Sequence, residues 1–410
     1  MNERRFEQLF YLVVGSFIVF YGLQAFSPLR LTTDGIVYLS LADAAMTKGI
    51  HATLSESSPF PKGYPVFVYL LMKARLFSAA SLLLSNLLFF VLGLVFSFRT
   101  LVNLGFERRP SLVACLLPLA SLAAIKHVTQ GMSDFLFFAL SSCACWLMTI
   151  SSPYRWLGIV PCVAIAIEVR FIGLALIIPL AVSAWPEVRK RPSFVAIASL
   201  LIGAGIFAAV TSGHHYLQAN STMLLRNGLW RFITRNLIVH CQDFGEMVWN
   251  LPFSKVSEWS RVPQLLTGSL AIFLFFFGIA QLWSRFQWLS LYLIAYSALI
   301  FPWPYSDPRF WLPAMPFVFL SMHEGLKAVF RAVPTRVVMA YVVVFCVVGL
   351  IELGYSTRIT FAGPAFAHRY GDGRLTAAYL ARCSPSPADS NQAQAVHLLR
   401  EYEWHCRETQ

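Results

Sequence analysis

The side chains best suited to chemistry in this sequence are a few acids and cations set between long apolar runs. Asp34, Asp134 and Asp307 carry carboxylates, which can accept a proton from a hydroxyl group. Arg170 and Arg309 carry guanidinium groups, which can hold a phosphate through two parallel hydrogen bonds. Acids and cations brought together would suit a transfer reaction in which a hydroxyl loses its proton and an anion departs.

The elements that position these residues must lie in a membrane. The chain has 410 residues, of which 57% are hydrophobic and only 13% charged, and its mean hydropathy is +0.62. Soluble domains carry about 25% charged residues, which excludes a water-soluble enzyme, a disordered tail protein and a single-span receptor. Solidly apolar runs long enough to cross about 30 Å of hydrocarbon recur along the chain. The strands of a transmembrane barrel would instead alternate apolar and polar residues in short segments. The sequence predicts an all-α polytopic membrane protein.

We predict about eleven transmembrane helices. They cover residues 8–26, 80–98, 111–126, 133–150, 156–168, 170–185, 193–212, 264–283, 287–302, 310–326 and 336–353. Two short segments of this series meet at Glu168-Val169-Arg170, which we interpret as the tip of a bent pair. Arg4 and Arg5 precede the first span and no small-residue cleavage site follows it, so the N-terminus is predicted to lie inside.

Most of the polar chain falls on the outer face in this topology. Residues 1–354 form a transmembrane domain with outer loops at 27–79 and 213–263, and residues 355–410 form an outer tail. The short cytoplasmic turns are rich in Lys and Arg. The formal charge of +12 therefore indicates the positive-inside bias, anionic lipid contacts and a phosphate-binding face, not nucleic acid. We expect a bacterial inner-membrane protein whose site faces the periplasm.

Both outer loops are predicted to contain interfacial helices. Residues 34–50 and 66–77 place apolar side chains at helical spacing, and Pro59, Pro61 and Pro65 mark the turn between them. In the second loop Arg, Trp and Leu interleave at helical spacing, which predicts a basic amphipathic helix.

The acids and cations of the outer face also have a simpler interpretation, as helix caps and interfacial anchors. Ser133-Asp134 would cap a helix, and Asp307-Pro308-Arg309 is an ordinary turn sequence. A charge partly inside a membrane costs about 2.5 kcal/mol or more, however, and is usually paired or functional. We therefore expect these residues to converge on one site.

Five segments, in a fixed order along the chain, carry a resemblance to a known family. They are Thr32-Thr33-Asp34-Gly35-Ile36-Val37-Tyr38, Phe60-Pro61-Lys62-Gly63-Tyr64-Pro65, Gln130-Gly131-Met132-Ser133-Asp134, Arg170-Phe171-Ile172-Gly173 and Ser306-Asp307-Pro308-Arg309-Phe310-Trp311-Leu312-Pro313-Ala314-Met315-Pro316. Over roughly residues 5–320 their order and spacing resemble the GT-C superfamily of multispan glycosyltransferases, which use polyprenyl-phosphate-linked sugars. Gly35 stands where many members carry a second acid, which argues against a two-acid or metal-assisted scheme at this position.

The resemblance implies an enzyme that moves a hexose or pentose from a polyprenyl-phosphate carrier to an acceptor hydroxyl. Asp34 would be the general base. The donor phosphate would be bound by Lys62, Arg170 and Arg309. Supporting roles are expected for Asp43, Tyr64, Lys126, His127, Asp134 and Asp307.

No cofactor is firmly implied, and a divalent metal ion is compatible with the sequence but not indicated by it. His214, His215 and His240 lack further ligands at a suitable spacing, so no metal site is predicted. The expected partners are the lipid-linked donor, a lipid, glycan or protein acceptor, and membrane lipids, with no nucleic acid.

Two other classes of membrane protein stay open. A transporter or flippase would carry charges and broken helices at the membrane midplane. A polymerase or ligase of lipid-linked glycans would rely on Arg and His in a long outer loop such as 213–263. The sequence also leaves open the sugar, the acceptor, the oligomeric state and whether Cys383 and Cys406 form a disulfide.

Overall fold

In the computed structural model, helices joined by loops make up the part of the chain that it describes. That part comprises residues 3–51, 60–188, 228–251, 261–303, 305, 307–330, 335–362 and 390–402, with isolated positions between 203 and 226 and at 378. Its α-helices are α1 Glu3–Leu23, α2 Thr33–Lys48, α3 Gly63–Lys73, α4 Ala79–Asn103, α5 Arg108–Leu119, α6 Leu122–His127, α7 Asp134–Met148, α8 Trp156–Val169, α9 Ile177–Val188, α10 Leu229–Trp249, α11 Arg261–Trp283, α12 Gln287–Ile300, α13 Met315–Val329, α14 Thr335–Phe361 and α15 Ser390–Tyr402. Its 3₁₀ segments are Gln24–Phe26, Pro153–Arg155, Phe171–Leu176 and Pro308–Ala314. The all-α prediction is confirmed for these residues.

Within the described residues, four segments are long and apolar enough to cross a membrane, as an integral membrane protein requires. They are Gln8–Phe26, Ala79–Asn103, Arg261–Trp283 and Thr335–Phe361. Shorter apolar helices cover Asp134–Met148, Trp156–Val169, Phe171–Trp185 and Gln287–Ile300. The number of about eleven spans stays a prediction. The predicted span 193–212 and the residues His214, His215, Cys383 and Cys406 lie outside the described residues.

Predicted spans 111–126 and 310–326 are each interrupted. Span 111–126 is broken between α5 and α6, because the Ser121 side chain accepts a hydrogen bond from the backbone of Ala124 and caps a new helix. Span 310–326 begins as the 3₁₀ segment Pro308–Ala314 and becomes α-helical only at Met315. Both breaks lie beside residues of the candidate site described below.

Helix α14 continues unbroken past residue 354 to Phe361, and the division into a transmembrane domain and an outer tail stays a prediction. The extension carries hydroxyl groups that bind the buried side chain of Arg30, which donates to Ser356 and Thr360 at 3.0 and 3.1 Å. Arg30 also donates to Ser27 and Gln24, both at 3.1 Å. This network ties the end of α1 to the end of α14 and fixes the segment that leads into α2.

The predicted helix 34–50 forms as α2, with Ile36, Leu39 and Ala42 buried. The Thr32 side chain caps it by accepting a hydrogen bond from the Gly35 backbone at 3.1 Å. One side of α2 packs on α3, and the tail helix α15 also packs against it.

The predicted second loop, 213–263, contains α10, whose two halves differ. Trp230 and Ile233 in the first half are exposed, as a surface helix requires. In the second half His240, Asp243 and Phe244 are buried, because this half packs closely along α11. The amphipathic helix is therefore present, but only its first half is a surface element.

Close packing of α11 depends on glycines. A Cβ at Gly268 would overlap the Cys241 carbonyl of α10, and one at Gly278 would overlap the Ser321 carbonyl of α13. Small residues at such crossings let helices in a membrane approach closely enough for backbone contact.

We expect Gly278→Ala to lower the free energy of unfolding by about 1–3 kcal/mol, because α11 and α13 must move apart. Gly354→Ala is the matched control, since its new methyl group meets no atom within 4 Å. Thermal unfolding of the purified protein in detergent measures both. A Gly278→Ala protein as stable as the control would contradict the packing.

Candidate active site

The centre of the candidate site is an ion pair between Asp34 and Arg309, which lie 275 positions apart. The guanidinium Nη2 donates to the Asp34 carboxylate at 2.8 Å, with side-chain exposures of 31% for Asp34 and 13% for Arg309. Asp34 lies in the first turn of α2. Arg309 lies at the start of the 3₁₀ segment, whose cap is Asp307 accepting from the Arg309 backbone at 3.0 Å. Two predicted site residues are thus in direct contact.

A second acid and cation meet beside this pair. Arg170 Nη1 lies 2.6 Å from the fully buried carboxylate of Asp134 and 3.4 Å from the Ser133 hydroxyl. Arg170 has an extended backbone where α8 ends and the 3₁₀ segment begins, as the predicted bent tip requires. The interpretation of Ser133 as a helix cap is wrong, since its hydroxyl makes no cap bond and faces Arg170 and Tyr38 instead.

The ring of Phe310 joins the two guanidinium groups. Arg309 lies 5.0 Å and Arg170 lies 5.7 Å from its centroid, both within the range of cation–π attraction. Because both distances are measured to the same centroid, the two guanidinium groups are at most about 11 Å apart.

Asp307 brings two further groups, His127 and Lys126, close to Arg309. Its carboxylate lies 3.3 Å from His127 Nε2, 3.8 Å from Lys126 Nζ and 3.7 Å from Arg309 Nε. Burial alone would raise the pKa of Asp307, but the fields of His127, Lys126 and Arg309 outweigh it and hold that pKa well below its usual range. Asp307 is therefore ionised at neutral pH and acts as a counter-charge to Lys126 and Arg309.

The loop before α7 is fixed by buried hydrogen bonds. His127 is buried, and its Nδ1 lies 2.6 Å from the Gln130 side-chain oxygen. Asn86 of α4 donates to the carbonyls of Val128 and Gln130 at 3.1 and 2.8 Å. This loop places Met132 against the central pair, where Arg309 Nη1 donates to its sulfur at 3.7 Å.

Lys62 and Tyr64 lie on a different side of the cluster. Lys62 precedes α3 and acts electrostatically on Glu168, at the end of α8 and two positions before Arg170. The chain can approach α8 this closely because Gly63 has no Cβ. Tyr64 is fully buried with its ring 5.3 Å from that of Tyr38, and its hydroxyl has no hydrogen-bond partner among the described residues.

Asp43 lies away from this cluster. Nine positions beyond Asp34, it is about 13 Å further along the axis of α2. Its carboxylate binds the tail helix α15, at 3.0 Å from His397 Nε2 and through a hydrogen bond that the Tyr402 hydroxyl donates. The structure therefore gives it a contact with the tail and none with Arg309 or Arg170.

Three contributors were not selected from the sequence. Met132 touches Thr32 and Arg309, Phe310 touches both arginines, and Tyr38 packs edge-to-face against Tyr64. All three lie within the segments that carry the family resemblance, and this position in the sequence could have identified them as candidates. Within the described part of the chain, no group of three or more His, Cys, Asp or Glu residues is placed to hold a metal ion.

The two ion pairs are expected to respond differently to the same change. Asp134→Asn leaves Arg170 without its counter-charge in a buried place and should lower the free energy of unfolding by about 3 kcal/mol. Asp34→Asn affects a partly solvent-exposed pair and should lower the free energy of unfolding by less than about 1 kcal/mol. Reversible unfolding in mixed micelles measures both, and equal losses would contradict the expected effect of burial on the Asp134–Arg170 pair.

Comparisons with known proteins give one match. No protein-family model matches the chain, and no curated protein matches it. Among solved structures, the chain is similar to the crystal structure of ArnT from Cupriavidus metallidurans bound to undecaprenyl phosphate. The similarity covers 97% of this chain and 85% of that chain, with 14% sequence identity and a TM-score of 0.47.

Proposed function

We propose that this membrane protein is a glycosyltransferase, which moves a sugar from a polyprenyl-phosphate carrier to an acceptor hydroxyl. The observation that carries the proposal is the 2.8 Å contact between Asp34 and Arg309, with Arg170 across the Phe310 ring. It combines a partly exposed carboxylate with two cations in a protein of apolar helices. These are the groups that sugar transfer from a lipid phosphate requires.

Asp34 is the proposed general base. The acceptor oxygen attacks the anomeric carbon while its proton passes to the Asp34 carboxylate. The bond between that carbon and the phosphate oxygen breaks, and its electron pair leaves with the lipid phosphate. With attack opposite the leaving group, the anomeric configuration inverts. The partial exposure of Asp34 gives an acceptor hydroxyl access to it.

Arg309 is the proposed partner of the departing phosphate, and its hydrogen bonds favour this role. Of its three nitrogens, only Nη2 donates a hydrogen bond to a carboxylate, that of Asp34. Nη1 donates to the sulfur of Met132, which is a weak acceptor. Nε has no hydrogen-bond partner within the described part of the chain. Phosphate oxygens would satisfy these donors and compete with Asp34 for the guanidinium. Donor binding would thereby release the base when it is needed.

Arg170 and Lys62 are proposed to extend the cationic surface. Arg170 keeps its buried partner Asp134, so it contributes a fixed charge that stabilises the phosphate without leaving its place. Lys62 lies near the same end of α8 and could meet the outer phosphate oxygens. We propose further that the site faces the periplasm and that the sugar is a hexose or a pentose.

The test is transfer from synthetic polyprenyl-phosphate sugars by the purified protein in lipid nanodiscs. Release of free polyprenyl phosphate is followed by mass spectrometry, with an envelope lipid and glycan extract as acceptor. Asp34→Asn should lower the rate about 10²- to 10⁴-fold, because the acceptor proton then has no base.

Asp43→Asn is the matched control, because it changes the same group on the same helix about 13 Å away. It should keep the rate within a few-fold of the wild type. Wild-type rates in Asp34→Asn would refute the base assignment. Movement of the intact donor across the bilayer without loss of its sugar would instead identify a flippase.

A further inference from the structure

The side chain of Met132 lies between the helix of the proposed base and the proposed phosphate partner. Its sulfur accepts hydrogen bonds from the Thr32 hydroxyl at 3.2 Å and from Arg309 Nη1 at 3.7 Å. Thr32 caps the helix that carries Asp34, and Arg309 holds the Asp34 carboxylate. Met132 is 1% exposed, so solvent has little access to the sulfur. The residue therefore contacts both halves of the candidate site.

The main chain around Met132 is held in place independently of its side chain. The carbonyl of Gln130 accepts a hydrogen bond from Asn86 of α4 at 2.8 Å. Gly131 lies close against the first turn of α2, since a Cβ added to Gly35 would come within 3.3 Å of the Gly131 carbonyl oxygen. A substitution at position 132 should therefore change mainly the group that faces the guanidinium.

A thioether is a weak partner for a charged donor in a buried place. An amide or carboxylate oxygen at the same point would hold a guanidinium group much more firmly. Arginine binds a phosphate most strongly when two of its N–H groups reach it together. Nη1 of Arg309 can therefore join Nη2 on a phosphate that has replaced Asp34, because little is lost when the bond to sulfur breaks.

We propose that Met132 is a positioning residue for donor binding, which keeps one arm of Arg309 weakly held until the phosphate of the lipid carrier arrives. The inference rests on the proposed function and adds a residue that sets the affinity for the donor phosphate. The sulfur acts through Arg309 and not on the reacting atoms. Affinity should accordingly follow the strength with which residue 132 accepts hydrogen bonds, not its size.

Binding of undecaprenyl phosphate to the purified full-length protein in lipid nanodiscs tests this inference, because the probe carries the lipid and the phosphate but no sugar. Met132→Gln supplies an amide oxygen, whose two lone pairs can accept from Thr32 and Arg309 at once. It should raise the Kd about tenfold, since a hydrogen bond to a charged group contributes roughly that factor or more. Met132→Leu keeps the volume but offers no acceptor, and it should lower the Kd about two- to threefold by removing a weak competing hydrogen bond.

The opposite directions separate this role from a structural one, because a loss of packing would weaken binding in both variants. Met148→Gln is the matched control, since it places the same amide at a buried methionine at the end of α7 and should leave the Kd unchanged. A raised Kd in Met132→Leu would overturn the inference, as would equal Kd values in Met132→Leu and Met132→Gln.

The same measurement distinguishes this inference from the proposed function. A protein that shows the expected order of Kd values but transfers no sugar would support the role of Met132 in phosphate binding and refute the transferase activity. A protein that transfers sugar while Met132→Gln binds the probe as tightly as the wild type would overturn the role of Met132 alone. Absence of probe binding by the wild type would overturn both.

Discussion

A charged side chain that is buried away from water must be paired with an opposite charge, and this constraint organises the protein around the candidate site at Asp34. Asp34 is matched by Arg309, Asp134 by Arg170, and Asp307 by a group of cations. These residues come from segments far apart in the sequence. Pairing them therefore requires α2, the loop before α7, the linker after α8 and the 3₁₀ segment before α13 to assemble together.

Apolar packing alone would not fix this assembly, because lipid tails are as apolar as the helix surfaces and give helices little preference for one another. Two other devices set the relative positions of the helices. Gly268 and Gly278 allow backbone contact along α11, and the hydrogen bonds of Arg30 join α1 to α14. The glycine contacts set helix spacing, while the polar contacts determine which segment faces which.

The sequence predicted local features better than partners. Helix α4 and the helix that carries Asp34 were predicted, since apolar runs and helical spacing are local properties. The association of Asp43 with His397 was not, because it depends on a tail helix 354 positions away. The contact between Ser133 and Arg170 was not predicted either, because these residues are 37 positions apart. The break at Ser121 could have been predicted from the sequence, because a serine shortly after Pro118 is a local signal for the start of a helix.

The proposed chemistry depends on Arg309 staying in place when Asp34 is released from it. Asp307 can hold it there, because its carboxylate accepts from the Arg309 backbone and lies 3.7 Å from Nε. The Phe310 ring supports the guanidinium from a third direction. Since neither contact involves Asp34, a phosphate that replaces the Asp34 carboxylate would find the guanidinium already oriented. The same arginine can then restrain the base before the donor arrives and stabilise the leaving group afterwards, without a change in the fold.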